Sequence, residues 1–246
     1  DYGCDIVNCS WGTTSYSQYG QDIINYAVDK GCLVVAAAGN SNAKDLFYPA
    51  SFEFVLSVGG TDSLNQKWTG SSKGSNYNDY VDVVAPGVDL YRIRNGGGAL
   101  SSGGSGTSLS APIVAGIAGL VKSKFPSYNP FQIIEQLKST AIDVDTIIFN
   151  APYQGKLGKG LVDAHKAVTD VTNPGFMFIN PIFTDLADGV YRAGEVVYLY
   201  GDFYNMLAAS SSATAIHVST ESSYIELLDS SFTLGEFPGD GYTWKS

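Results

Sequence analysis

The chain has 246 residues, 44% of them hydrophobic, enough for one large domain or one domain with a smaller module, and too apolar for a disordered chain. Its 14 Lys and Arg stand against 24 Asp and Glu, a net charge of -10, so a polyanion meets repulsion and nucleic-acid binding is disfavoured. The longest apolar runs, such as Cys32 to Ala38, have strand length rather than the ~20 residues a membrane span needs, which reads as a soluble protein.

The start, Asp1-Tyr2-Gly3-Cys4, lacks the basic flank and small-residue cleavage site of a signal peptide and reads as an internal cut. Three cysteines are too few for a disulfide framework. Ile6 to Cys9 and Leu33 to Ala38 are β-favouring runs flanking Gln18 to Lys30, where Ile23, Ile24, Ala27 and Val28 recur at helical spacing. This predicts a βαβ unit. The segments Gly3-Cys4-Asp5 and Gly31-Cys32-Leu33 begin alike, and an in-register parallel pair would set Cys4 beside Cys32, as a disulfide or as two buried thiols. Phe54 to Gly59 and Tyr80 to Ala85 are further apolar runs without alternation, as a parallel sheet covered on both faces requires. Gly-rich loops separate them. A helix is expected from Ser108 to Lys124, with Ile113, Val114, Ile117, Leu120 and Val121 on one stripe and Phe125-Pro126 ending it. Another runs from Pro130 to Ser139, and a short one begins near Gly160-Leu161-Val162-Asp163-Ala164.

After Thr172-Asn173-Pro174-Gly175 the composition turns β-branched, aromatic and rich in Ser and Thr. The expected division is therefore 1–172, an α/β domain, and 173–246, an Ig-like β module with strands at Glu195 to Tyr200, Ala213 to Val218 and Tyr224 to Leu228. Lys245-Ser246 comes before such a module would be complete.

The strongest chemical signal is Gly106-Thr107-Ser108-Leu109-Ser110-Ala111-Pro112, which presents a hydroxyl at a helix start. Unpaired N–H groups and positive dipole character there favour negative charge developing on a nearby oxygen, as acyl transfer demands. Taken alone, Thr107 or Ser108 reads as a plain N-cap. The second signal is Ala36-Ala37-Ala38-Gly39-Asn40, a buried strand ending in small residues and a side-chain amide that can donate to an oxyanion opposite Ser108. Taken alone, Asn40 reads as a turn residue.

Together with Asp5-Ile6-Val7-Asn8-Cys9-Ser10-Trp11-Gly12, Tyr48-Pro49-Ala50, Val58-Gly59-Gly60-Thr61-Asp62, Val84-Ala85-Pro86-Gly87 and Gly160-Leu161-Val162-Asp163-Ala164, in that order, the two motifs resemble the subtilisin-like serine peptidases over residues 1 to about 170. The resemblance implies part of a doubly wound, mostly parallel sheet with helices on both faces. It implies Ser108 as nucleophile, Asn40 as oxyanion donor, and the Ser108 N–H as the second donor. Ser10-Trp11-Gly12 and Ala37-Ala38-Gly39 become the walls of the primary specificity pocket, binding a polypeptide substrate as an added strand. Phe47 falls at the pocket floor, where the family usually has a small residue, implying a shallow pocket for small or medium P1 side chains. Tyr48-Pro49 matches a position that is commonly cis in the family. No cofactor is expected, although the loop Ala50 to Val55 offers carbonyls to a weak calcium or sodium ion.

The base that activates the serine in this family, a His oriented by an Asp, belongs to motifs N-terminal to this sequence. His165 and His217 lie in no such motif and read as solvated or structural. The parent protein is thus expected to be a secreted or cell-surface serine endopeptidase, its upstream segment completing the domain, with little activity in this chain alone. The alternatives are a non-catalytic peptide-binding or adhesion protein on the same scaffold, or an esterase or amidase.

Overall fold

The computed structural model describes residues 3–93, 100–210, 214–220, 222–239 and 242–245. The chain divides into two compact units, Asp1–Asp170 and Val171–Ser246.

In the first unit, β1 (Ile6–Cys9), β2 (Leu33–Ala37), β3 (Val55–Thr61) and β4 (Val83–Pro86) form a parallel sheet in the order β1-β2-β3-β4. Every residue of β2 is buried, and alternate side chains serve opposite faces. Leu33, Val35 and Ala37 join the cluster built with α2 (Thr107–Lys124), α3 (Pro130–Ser139) and α4 (Ala164–Thr169), while Val34 and Ala36 meet Ile24 and Val28 of α1 (Gln18–Asp29). The sheet is therefore covered on both sides, as continuous apolarity required. Fully buried Leu33, Val35, Leu56 and Val58 contribute about 1.5–3 kcal/mol each. Caps fix the helix starts: Ser17 Oγ accepts from the Gly20 N–H, and Asn129 with Gln132 closes a reciprocal capping box ahead of Pro130.

In this unit four expectations need correction. The β1–β2 register pairs Ile6 with Leu33, so Cys32 faces Asp5 rather than Cys4, and all three cysteines are free thiols. β4 begins at Val83 because Asn78 turns the chain, its Oδ1 accepting from the Tyr80 N–H and its carbonyl from the Val81 N–H. The buried stripe of α2 runs through Ala111, Val114, Ala118 and Val121, which lets the helix approach the sheet closely and leaves Leu120 55% exposed. Finally, part of the Gly-rich stretch before Ser108 is an antiparallel hairpin, β5 (Leu90–Ile93) with β6 (Leu100–Gly104).

β1 pairs with β2 alone among the described residues. Beside its outer edge Val7 is 39% exposed, and a cleft of about 510 Å³ opens between Ile6 and the α2 residues Gly119 and Lys122.

The second unit holds a three-stranded antiparallel sheet, with β8 (Tyr198–Asn205) between β7 (Phe176–Thr184) and β11 (Tyr242–Lys245), and a two-stranded one of β9 (Thr214–His217) and β10 (Ser231–Gly235). Phe203 meets Phe232 and Phe176 meets Phe237 edge to face. Asn205 is fully buried, accepting from the Gly175 and Leu207 N–H groups and donating to the Ala208 and Pro238 carbonyls. The strand expected over Tyr224 to Leu228 is absent; Tyr224 is 97% exposed and β10 forms a few residues later. Of the strand expected over 213–218, Ala213 lies outside the described residues, as do Asp1, Tyr2 and Ser246.

Candidate active site

β2 delivers Asn40 to the C-terminal edge of the sheet, where parallel strands leave a crevice. Ala36, Ala37 and Ala38 are buried and leave no side-chain bulk beneath it. Gly39 has φ +104, and a Cβ there would lie 2.5 Å from Asn76 Nδ2 and 3.1 Å from Phe47 Cγ, so only glycine fits. On either side of Asn40 the backbone is tied down: its carbonyl accepts from the Gly74 N–H, and the Ser41 N–H donates to Asn76 Oδ1 at 2.8 Å.

The Asn40 amide is oriented by α2. Its Oδ1 accepts from the Thr107 N–H at 2.9 Å and lies 2.9 Å from the fully buried Thr107 hydroxyl. The N-cap, Gly106, makes no side-chain cap bond, so Asn40 caps α2 from 67 residues away. With Oδ1 committed to two donors, Nδ2 is the end left for a ligand. The point where a Cβ would sit on Gly106 is 3.7 Å from both Asn40 Nδ2 and Asn40 Oδ1 and 3.8 Å from the Ser108 nitrogen. The Asn40 amide and the first turn of α2 thus flank one small volume beside Gly106.

Ser108 is the second residue of α2. Its Oγ donates to the Ser10 carbonyl at 3.1 Å, Ser10 Oγ donates to the Ser108 carbonyl at 2.9 Å, and Asn8 Nδ2 donates to Ser10 Oγ at 3.0 Å. Ser10 thus lies against the serine itself. Trp11 is 67% exposed, and Thr13 exchanges two backbone hydrogen bonds with Tyr48, fastening this segment to the one that carries Phe47. A Cβ on Gly12 would fall 2.5 Å from Phe47 Cε1, and one on Gly39 would fall 3.1 Å from its Cγ. The Phe47 ring therefore spans the space between Gly12 and Gly39. The Tyr48–Pro49 peptide is cis.

Other polar groups lie elsewhere. His165 is exposed on α4, and His217 meets Ser231 Oγ. In the 47–53 stretch the carbonyls of Phe47, Pro49 and Glu53 accept protein N–H groups, and no cluster of three or more His, Cys, Asp or Glu suited to a metal occurs among the described residues. At the start of β4 burial pushes the Asp82 carboxyl up to about 6, against the pull of Lys138 and the Ser57 N–H. Burial also brings Lys67 down to about 8. Read alone, the motif makes Thr107 or Ser108 an N-cap; the N-cap is Gly106, and sequence reasoning missed the tie of Thr107 to Asn40 because a cap bond between residues so far apart leaves no local pattern.

The subtilase family model matches residues 1–178. The chain belongs to the subtilase family. Among its relatives, the alkaline elastase YaB of Bacillus sp. (strain YaB) is 38% identical over 165 residues, 67% of this chain and 40% of that protein. Subtilisin BL of Lederbergia lenta is 38% identical over 165 residues, 67% of this chain and 56% of that protein. A solved protease structure from Pseudoalteromonas arctica PAMC 21717 superposes with a TM-score of 0.58 at 32% identity, covering 67% of this chain and 50% of that one. The chain thus spans about half the length of these relatives. The whole candidate site lies within the subtilase match, and nearly all of the second unit lies beyond it. No helix among the described residues is long and apolar enough to cross a membrane.

Proposed function

We propose that this subtilase unit is the C-terminal part of a serine endopeptidase domain in which Ser108 is the nucleophile. Its Oγ attacks the scissile carbonyl carbon while a general base takes the hydroxyl proton. The carbonyl oxygen gains the negative charge between Asn40 Nδ2 and the Ser108 N–H. The leaving amine then takes the proton from the base, and water releases the acyl group in the mirror-image second step. The single observation that carries this reading is that Asn40, its Oδ1 taken up by the Thr107 N–H and hydroxyl, is held against the first turn of α2 beside Ser108 with Nδ2 left to donate.

His and Asp residues outside 1–246 supply the base and its orienting carboxylate, and the segment that carries them pairs on the free edge of β1. Substrate lies as an extended strand between Ser10-Trp11-Gly12 and Ala37-Ala38-Gly39. The second unit is an accessory module of a secreted or cell-surface protein. A fluorophosphonate offered to the full-length folded protein is expected to modify Ser108, with Ser108→Ala abolishing the labelling. Failure to label sinks the reading.

One observation favours a second reading, a peptide-binding or adhesion protein: the Ser108 hydroxyl rests on the Ser10 carbonyl, and neither histidine of the chain is its partner. Peptide binding that survives in an unlabelled protein would establish it.

A further inference from the structure

In an α-helix the carbonyl of Ser108 accepts from the N–H of residue 112. Residue 112 is proline, inside α2. Proline has no N–H to give, and its ring crowds the carbonyl four residues back, turning it outward. The Ser108 carbonyl is therefore orphaned from its regular partner at the residue whose placement matters most for the chemistry. Ser10 Oγ meets it at 2.9 Å, and Asn8 Nδ2, at 3.0 Å, holds that hydroxyl from the other side by donating to it. With Asn8 donating, the oxygen of Ser10 is occupied and its proton is free to point at Ser108.

We infer that Ser10 is a positioning residue for the nucleophile, its hydroxyl standing in for the amide proton that Pro112 lacks. The bond holds the peptide plane after Ser108, which fixes ψ of that residue and with it the aim of the Ser108 Oγ and N–H. A reacting atom displaced by a fraction of an ångström loses much of its rate. The tie also joins the segment after β1 to the start of α2 across 98 residues, so one pocket wall and the nucleophile move as one piece. This rests on the peptidase reading above. It assigns to the Ser10 side chain a role separate from the wall contacts of its backbone.

The test is a double-mutant cycle on the full-length protein, followed by steady-state hydrolysis of a peptide anilide. Ser10→Ala is expected to lower kcat by on the order of tenfold, the worth of one lost hydrogen bond, with KM within about twofold. Ser10→Thr, which keeps a hydroxyl, recovers most of that loss. In a Pro112→Ala background the residue 112 N–H can bond the Ser108 carbonyl, and Ser10→Ala then costs about twofold or less. Equal losses in both backgrounds would overturn the inference, as would a change confined to KM. Should Ser10→Ala fail to fold, the double variant, with its helical bond restored, still decides between the outcomes. If the unaltered protein neither hydrolyses the anilide nor labels at Ser108, the peptidase reading fails first and this inference falls with it.

Discussion

On the reading proposed above, Asn40 carries two functions on one amide, and they can be separated. Its oxygen caps α2 through Thr107, which leaves its nitrogen as the end that can donate to an oxyanion. Asn40→Asp keeps the cap acceptor and deletes the donor, placing a negative charge where an oxyanion must form. In the full-length protein it should lower kcat by about 10²–10³, a range whose reference measurement was made on a member of this family, and leave thermal stability nearly unchanged. Comparable loss of both would mean that the amide serves only the fold. Lys67 allows a prediction about stability. It is 4% exposed, with Nζ 2.5 Å from Asn42 Oδ1 and over the rings of Tyr77 and Tyr153, and burial brings it down to about 8 from the ordinary 10.5. Below pH 8 folded and unfolded chains are both protonated, so the folded state bears the whole cost of the buried charge. Between 8 and 10.5 the unfolded chain binds more protons, and stability rises with pH. Denaturant midpoints at pH 7 and pH 10.5 should show the wild type gaining up to about 3 kcal/mol relative to Lys67→Met. A gap that does not change with pH would place the ammonium in contact with water.

At the scale of elements, what could be read in advance was whatever one stretch of chain decides for itself. β1, α1, β2 and α3 start where expected because apolar runs, a Ser17 cap ahead of α1 and an Asn129-Pro130 start for α3 are local signals. The family motifs place Ser108 and Asn40, and the structure brings them together around Gly106. What stayed hidden depends on partners distant in sequence. The β5–β6 pair joins Leu90–Ile93 to the serine- and glycine-rich Leu100–Gly104, a pairing no periodicity reveals, and the one-residue offset between β1 and β2 is set by the Leu33 N–H donating to the Asp5 carbonyl. The second unit was read least well, because strands with mixed faces, such as β7, do not differ in pattern from loops. Phe47 lies between these extremes: its position was legible, but its contact with both Gly12 and Gly39 was not. On the peptidase reading, the pocket floor is a ring held between these two segments, and Phe47→Gly empties it. In the full-length protein that variant should raise kcat/KM for peptides with an aromatic P1 residue at least about tenfold over wild type. A library in which the wild type already cleaves best after Phe or Tyr would refute the shallow pocket.

For the molecule as a whole, the first unit is uneven in its protection. β2, β3 and β4 are buried on both faces, whereas β1 ends the sheet, pairing among the described residues with β2 alone, beside an exposed Val7 and the open cleft against α2. An open strand edge with apolar neighbours is a template for another strand. On the reading proposed above, that strand comes from the segment bearing the base, and completing the sheet and completing the active site are one event. An isolated polypeptide of residues 1–246 should then hydrolyse peptide anilides at a rate near background, since a serine without a base remains a protonated alcohol. The same substitution should act in opposite directions on the two forms. Val7→Lys puts a charge beside an open edge in the isolated polypeptide, and should shift its sedimentation profile toward monomer. In the full-length protein the added strand would bury that ammonium without a partner, at a cost of a few kcal/mol, seen as a lowered Tm. Val7→Lys that leaves the full-length protein as stable as wild type would mean that no strand covers β1, and that the catalytic base must reach Ser108 by some other route.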